Sequence, residues 1–269
     1  MALELLDAGR IRGGVRAAQL RHLEVLAEVD STNSRLLQAE PPPRGAADVV
    51  LAEVQHAGRG RRGRTWQSVP GTSLALSANW LMVDAAHAPS SLSLAAGVAV
   101  VGALDRLGAR GIGVKWPNDL TFNGGKLGGI LIEARAAGAG ASLVVIGIGI
   151  NVNVDAQRLA AIEALGVRAV NLTDACAAVP SRNQLASLII DELLAMLARF
   201  ERMGFAAFRD VWSRLDVLRD APVQVEVGEE RVAGIARGVD ADGALRLETD
   251  AGLRKFVSGD ASLRRSVAA

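Results

Sequence analysis

The chain has 269 residues, of which half are hydrophobic and 22% are charged, and its formal net charge is +1. This composition indicates a soluble globular protein with one large or two smaller domains, and it gives no overall attraction to nucleic acid or to an acidic membrane. The single Cys176 excludes an intramolecular disulfide and a cysteine-built zinc site. No secretory signal is visible, and no apolar run reaches the roughly 18 residues of a membrane span, so we expect a cytoplasmic protein.

The first half of the chain alternates between strand and helix patterns. After a short N-terminal helix or arm, residues 23–29 have a strand pattern. The "DSTN" segment at 30–33 then supplies good N-cap residues for the helix that follows. Two more strand patterns and a long apolar helix come next, at 48–55, 72–82 and 91–109.

The second half begins with "IGVKWPNDLTF" at 112–122, which predicts a strand that breaks at Pro117. The turn "NGG" joins it to a strand at 126–135 as a hairpin. One apolar strand and three helices follow, at 141–154, 156–166, 181–204 and 205–218. After Asp220, short alternating strands separated by "GEE", "DADG" and "DAG" indicate a small antiparallel barrel. The sequence therefore predicts an α+β domain over residues 1–220 and a β-barrel over 221–269.

The segment "GRGRRGR" at 58–64, the Arg-Gly loop, concentrates positive charge in a nearly neutral protein. Its glycines permit close approach to a ligand, and its arginines repel one another unless an anion lies among them. We therefore expect the loop to be mobile when empty and ordered around a polyanion. A solvated basic loop or an RNA-binding patch would have the same composition. Trp66, just beyond the loop, suits stacking on adenine or a place in the core.

The segment "KWPNDL" at 115–120 ends an apolar strand. Pro117 stops the strand, so that Asn118 and Asp119 project where α/β proteins collect the polar groups of their sites. The same two residues could instead form only an Asx turn.

Two glycine-rich segments complete the candidate set. Lys126 in "NGGKLGG" opens an apolar strand, so its ammonium either enters a site or lies on the surface. The segment is not a Walker A loop, because Leu127 follows the lysine. Gly147 and Gly149 in "GIGINV" permit either a flat ligand against bare backbone or tight packing of strands.

These motifs occur in a fixed order: "DSTN", "QHAGRGRRGRTW", "KWPNDL", "GGKLGGIL", "GIGINVN" and a barrel containing "GIARGVDADGAL". In that order, from about residue 25 to about residue 265, the chain resembles biotin protein ligases of the monofunctional type, without an N-terminal DNA-binding domain. The resemblance implies a mixed-sheet catalytic domain similar to class II aminoacyl-tRNA synthetases, followed by an SH3-like barrel.

The resemblance also implies roles for individual residues. Biotin binding is implied for Ser31, Thr32, Asn33, Gln55, Gly58, Arg59, Gly60, Arg61, Lys126, Gly147 and Gly149. ATP binding is implied for Arg61, Arg64, Trp66, Lys115, Asn118, Lys126 and Asn151. Catalysis is implied for Lys126, Arg59, Arg61 and Asp119. Lys126 would bridge the biotin carboxylate and the α-phosphate, and Asp119 would orient or deprotonate the acceptor lysine. No residue is assigned as a metal ligand.

The implied reaction has two steps, with ATP and biotin as substrates and Mg²⁺ as cofactor. Biotin and ATP form biotinyl-5′-AMP and pyrophosphate, and biotin then passes to a lysine of the biotin carboxyl carrier protein of acetyl-CoA carboxylase or of a related carboxylase. We expect no nucleic-acid or membrane partner, and homodimerisation stays open. Two rivals are a lipoate ligase, with the same fold, and an RNA-binding module built on the Arg-Gly loop.

Overall fold

A seven-stranded mixed sheet forms the body of the computed structural model, which describes residues 4–83, 89–164 and 166–263. The strands are β1 (Leu20–Val29), β2 (Ala47–Gln55), β3 (Ser73–Val83), β4 (Ile112–Lys115), β5 (Asp119–Phe122), β6 (Gly125–Gly138) and β7 (Ala141–Asn151). Their order across the sheet is β1-β2-β3-β7-β6-β5-β4. The pair β1 and β2 is parallel, and the other neighbouring pairs are antiparallel.

The two faces of this sheet are covered unequally. The helices are α1 (Ala8–Gly14), α2 (Thr32–Gln38), α3 (Pro89–Arg106), α4 (Ala156–Glu163), α5 (Arg182–Met203) and α6 (Arg209–Leu215). Helices α3 and α5 pack on one face, where they share the main apolar core with the sheet. The short α2 covers only part of the other face, through a small cluster of Leu36 with Val50 and Val145. The rest of that face is left free for a site.

Five further strands form a separate antiparallel sheet. They are β8 (Pro222–Val227), β9 (Glu230–Val239), β10 (Leu245–Thr249), β11 (Gly252–Phe256) and β12 (Asp260–Leu263), in the order β11-β10-β9-β8-β12. This barrel is fixed to the larger sheet, because the buried Trp116 Nε1 donates a 3.1 Å hydrogen bond to the carbonyl of Gly243. The docking brings β12 to the edge of the uncovered face.

The structure corrects the sequence-based prediction for 112–122. That segment is not one interrupted strand but two antiparallel neighbours, β4 and β5. Pro117 has no N–H to continue the ladder, and the Asn118 N–H donates to the Lys115 carbonyl at 3.1 Å, which closes a tight turn. The predicted 205–218 helix is also shorter, because a 3₁₀ turn at 205–207 precedes α6. Among the described residues, no helix is long and apolar enough to cross a membrane.

Candidate active site

A cavity of about 890 Å³ lies on the free face of the sheet. Its walls come from α2, the Arg-Gly loop, the β4–β5 turn and strand β12. All but one of the residues predicted for the site line it: Ser31, Thr32, Asn33, Gln55, Arg59, Gly60, Arg61, Arg64, Trp66, Lys115, Asn118, Asp119, Lys126, Gly147, Gly149 and Asn151. The predicted residues from Ser31 to Asn151, which are spread over 121 positions of the sequence, therefore meet in one place.

Gly58 is the predicted residue outside this lining. A Cβ atom on it would lie 2.3 Å from the carbonyl oxygen of Trp66, and its own carbonyl accepts from the Trp66 N–H at 2.9 Å. Gly58 therefore closes the base of the Arg-Gly loop. Its predicted contact with biotin stays a prediction.

The floor of the cavity is formed by small residues of the central strands. Strand register places Ala75, Gly149 and Gly129 side by side on β3, β7 and β6. A Cβ on Gly149 would lie 2.4 Å from Cε2 of Trp66, and one on Gly147 would lie 2.4 Å from Oδ1 of Asn33. The space above both glycines is thus taken by the side chains of Asn33 and Trp66, and the glycines allow these two predicted site residues to pack closely on the sheet. A flat ligand against their backbone stays a prediction.

One end of the cavity is a buried polar cluster. Ser31 caps α2, and it, Thr32 and Asn33 are 2–3% exposed. The side-chain carbonyl of Gln55 accepts from the Thr32 N–H at 2.9 Å and lies 3.1 Å from the Thr32 hydroxyl. Ser77, which lies outside the sequence motifs, is 2.7 Å from the Thr32 hydroxyl and 2.6 Å from Oδ1 of Asn33. This end presents fixed donors and acceptors to a small polar ring.

The other end is cationic. Lys126 Nζ lies 2.6 Å from Oδ1 of Asp119, and both side chains are largely buried. The backbone of Lys126 is held from both sides, because its N–H donates to the Arg168 carbonyl and its carbonyl accepts from the Val170 N–H. Lys115 lines the same end. Lys126 is therefore a site lysine rather than a surface lysine.

Asn118 ties three parts of the site together. Its Nδ2 donates to the Ile130 carbonyl at 2.8 Å, and its Oδ1 accepts from Arg61 at 3.3 Å. The Asx-turn alternative therefore does not account for its side chain, which links the β4–β5 turn to β6 and to the Arg-Gly loop.

The Arg-Gly loop forms a wall rather than a detached arm. The Gly60 N–H donates to the Arg64 carbonyl at 2.7 Å, so the loop folds back on itself. Arg59 reaches Glu133 of β6 at 2.7 Å, and Arg61 donates to the Gly259 carbonyl of the barrel at 3.2 Å. Burial lowers the pKa of Arg61, as do its cationic neighbours, but an arginine stays charged at neutral pH. A half-buried guanidinium between two further arginines favours an anion, and within the protein Asp260 supplies one at 3.7 Å.

The barrel also holds this loop. Arg62 and Arg64 both pair with the carboxylate of Asp260 at the start of β12. Local sequence gave no signal for Asp260, because it lies almost 200 positions from the loop, with sequence separations of 196 and 198 for these pairs. Ser77 could have been found, since it is polar within the apolar strand "LALSANW".

Trp66 and Asn151 lie over the far part of the floor. Trp66 is half-buried, and among the described residues its buried indole N–H has no hydrogen-bond partner. A buried donor without a partner is costly, so a ligand acceptor at this point would be stabilising. Asn151 is 3% exposed and donates to the Val170 carbonyl at 3.3 Å. The tryptophan is thus part of the site rather than of the main core.

Comparison with known proteins identifies this arrangement. Residues 25–151 match the Biotin/lipoate A/B protein ligase family, and residues 221–264 match the biotin protein ligase C terminal domain. The bifunctional ligase/repressor BirA of Salmonella typhimurium is 38% identical over 97% of this chain and 79% of its own length. The chain belongs to the biotin protein ligase family.

Other members of the biotin protein ligase family agree with this assignment. The biotin--[acetyl-CoA-carboxylase] ligase of Mycobacterium tuberculosis is 36% identical over 85% of this chain and 84% of its own. The biotin protein ligase from Aquifex aeolicus, solved in complex with biotin and ATP, has a TM-score of 0.74. It is 26% identical and covers 93% of this chain and 100% of its own. The family and the α+β fold with a C-terminal barrel, both predicted from the sequence, are confirmed.

Proposed function

We propose that this enzyme activates biotin with ATP as biotinyl-5′-AMP and transfers the biotin to a lysine of a biotin carboxyl carrier protein. The observation that carries the proposal is the polarity of one cavity, with a buried hydrogen-bonding cluster at one end and a set of cations at the other. Its volume of about 890 Å³ falls in the usual range for small-molecule sites. Such a cavity suits a substrate with a neutral polar ring and a carboxylate tail, next to a nucleotide.

The polar end supports biotin as that substrate. A ureido ring has one carbonyl acceptor and two N–H donors, and Thr32, Asn33 and Gln55 supply complementary groups that are already fixed by their neighbours. A lipoyl ring has no N–H donor and no carbonyl acceptor to match these groups, and sites built to bond a polar group reject analogues that lack it. The lipoate alternative is therefore disfavoured.

The cationic end supports the first step. The biotin carboxylate oxygen attacks the α-phosphorus of ATP, the bond to the β-phosphate oxygen breaks, and pyrophosphate leaves. All reacting groups are anionic, so charge neutralisation by Lys126 and Arg61 would stabilise the transition state. Trp66, whose buried indole N–H has no partner among the described residues, and Asn151 line the same cavity and are the residues proposed to contact the nucleotide base.

In the second step, the acceptor amine attacks the acyl carbon of biotinyl-5′-AMP. The acyl C–O bond breaks, AMP leaves, and the amine loses a proton. Asp119 is paired with Lys126 at 2.6 Å in this structure. Once a phosphate oxygen binds the Lys126 ammonium, the Asp119 carboxylate is free to orient the incoming ammonium or to take its proton.

Magnesium belongs to this reaction as part of the nucleotide substrate. The described residues contain no group of three histidine, cysteine or carboxylate side chains that could hold a metal ion. The steps above are therefore written with the side chains of the described residues alone.

The remaining parts of the proposal concern organisation and partners. Residues 1–220 form the catalytic domain and 221–269 the barrel domain. The acceptor is the carrier protein of acetyl-CoA carboxylase or of a related carboxylase. Nucleic acid is not a partner in this proposal, which is compatible with either a monomer or a homodimer.

The deciding experiment incubates the full chain with MgATP and either biotin or lipoate, and detects acyl-AMP by mass spectrometry and pyrophosphate by a coupled assay. Biotinyl-AMP with biotin alone is the expected result. Lipoyl-AMP instead would overturn the substrate and retain the chemistry. A folded protein that makes neither adenylate would overturn the proposal.

A further inference from the structure

Glu133 of β6 belongs to none of the motifs, yet it joins the polar end of the cavity to the Arg-Gly loop. Its Oε2 atom accepts from Nδ2 of Asn33 at 2.8 Å and from Nη2 of Arg59 at 2.7 Å. One oxygen of the Glu133 carboxylate therefore accepts hydrogen bonds both from Asn33, on α2 at the polar end of the cavity, and from Arg59 on the Arg-Gly loop.

The amide of Asn33 is fixed in one orientation by its neighbours. Its Oδ1 lies 2.6 Å from the hydroxyl of the fully buried Ser77, and its Nδ2 faces Glu133. A flipped amide would set its NH₂ group beside Ser77 and would leave Glu133 without this donor. The donor side of Asn33 thus stays directed at Glu133, whatever binds over the floor.

The pair of Arg59 and Glu133 is sensitive to water. The side chains are 41% and 28% exposed, and ion pairs with that exposure stabilise a structure only weakly. A ligand ring over Asn33 would exclude water from the shared oxygen and so strengthen its bond to Arg59. Binding of a ring at Asn33 and the position of the Arg-Gly loop are then energetically linked.

On this basis, and on the proposed function, we infer that Glu133 is a positioning residue that couples ring binding at Asn33 to closure of the Arg-Gly loop through Arg59. Glu133 itself is assigned neither to the reacting carboxylate nor to the phosphate. The coupling acts on how firmly biotin and its adenylate are held.

The primary test is Glu133→Gln, which keeps the side-chain shape and removes the charge. We expect the KM for biotin in pyrophosphate release to rise about tenfold, with kcat falling far less, as for the loss of one charged hydrogen bond. The loop arginines provide a second readout by limited trypsin digestion. Biotin should protect the wild-type loop from cleavage, and this protection should be absent from Glu133→Gln even at saturating biotin.

A matched control is Glu24→Gln, which breaks the exposed pair of Glu24 with Arg35 on the same helix as Asn33. It should leave KM and protection at wild-type values. The Glu133→Asp variant keeps the charge on a shorter side chain and should give an intermediate KM. In an Arg59→Ala background, Glu133→Gln should raise KM by less than about twofold, because the coupling is already lost.

Each contrary result has a distinct meaning. Wild-type KM and protection in Glu133→Gln, or full additivity with Arg59→Ala, would overturn the coupling. A fall in kcat as large as the rise in KM would place Glu133 at the reacting atoms and overturn the positioning role. Absence of biotinyl-AMP from the wild type would instead overturn the proposed function, whatever the variant does.

Discussion

Lys126 Nζ and Asp119 Oδ1 lie 2.6 Å apart directly above Gly129, at the cationic end of the cavity. Their side chains are 25% and 19% exposed, so each charge is largely removed from water and is compensated by the other. Strand register brings this about, because Asp119 on β5 is the partner of Gly129 on β6. An arriving phosphate competes with Asp119 for the same ammonium.

Lys126→Ala should remove the ammonium that is proposed to bridge the biotin carboxylate and the α-phosphate. We expect loss of about 3 kcal/mol or more of transition-state stabilisation, a rate about a hundredfold lower or worse. The rate of biotin-dependent pyrophosphate release measures this loss. Lys255→Ala, which removes an exposed lysine paired with Asp240 on the barrel, is the control and should react normally. A wild-type rate for Lys126→Ala would exclude the bridging role.

Asp119→Asn separates the two half-reactions. The variant leaves Lys126 free to meet the phosphate, so adenylate formation should slow only modestly. Transfer to the acceptor lysine should slow more, because a carboxamide cannot take the proton of the incoming ammonium. Single-turnover transfer from preformed biotinyl-AMP to the carrier domain gives the second rate. Equal slowing of both steps would assign Asp119 to Lys126 alone.

Gly147→Ala and Gly149→Ala test the two ends of the cavity with the same added methyl group. The first would press on Asn33 and the second on Trp66, each at 2.4 Å in the present geometry. We therefore expect Gly147→Ala to raise mainly the KM for biotin and Gly149→Ala mainly the KM for ATP. Initial rates with one substrate varied at a time distinguish them. The reverse pattern would exchange the roles given to Asn33 and Trp66.

Local sequence was sufficient for features that depend on nearby residues. Ser31 caps α2 as "DSTN" predicts, and the alternation in 72–82 gives β3. The turn between β4 and β5 was missed because a tight reversal at Pro117 and a simple strand break look alike in sequence. Predicting the turn would have required the register between β4 and β5, which is tertiary information.

The candidate site also combines features that the sequence predicts with contacts that only the tertiary structure shows. The motif residues, identified through resemblance to a family, do gather in one cavity apart from Gly58. The groups that hold them were not identified: Ser77 under Asn33, Glu133 under Arg59, and Asp260 opposite the loop. These supporting contacts span tens to hundreds of positions, so no local spacing marks them.

Arg61→Gly should weaken the wall that separates the adenylate from solvent. Arg61 joins the loop to Asn118 and to the Gly259 carbonyl of the barrel. Its loss should let biotinyl-AMP escape and label bystander lysines, which biotin-specific blotting of an added bystander protein detects. Arg110→Gly is a control, because Arg110 pairs with the exposed Asp105 and does not line the cavity. Labelling confined to the carrier domain in Arg61→Gly would count against this role.

Asp216, between α6 and β8, should make stability depend on pH. Burial raises its pKa from 3.8 to about 6, although the Leu218 N–H donates to it and Arg219 lies nearby. Because the folded-state pKa is above the unfolded value, the stabilising contribution is complete below about pH 4 and is lost as pH rises through 6. The shift corresponds to about 3 kcal/mol.

Asp216→Asn should remove that loss, since an amide can still accept the Leu218 bond and carries no charge at any of these pH values. We expect the variant to be more stable than the wild type at pH 8 and nearly equal to it at pH 4, by urea unfolding at both. Asp210→Asn, which neutralises an exposed carboxylate on α6, controls for net charge and should show no such difference. A wild-type advantage that is the same at pH 4 and pH 8 would mean that Asp216 is ionised in the folded protein throughout, held by a contact stronger than its burial.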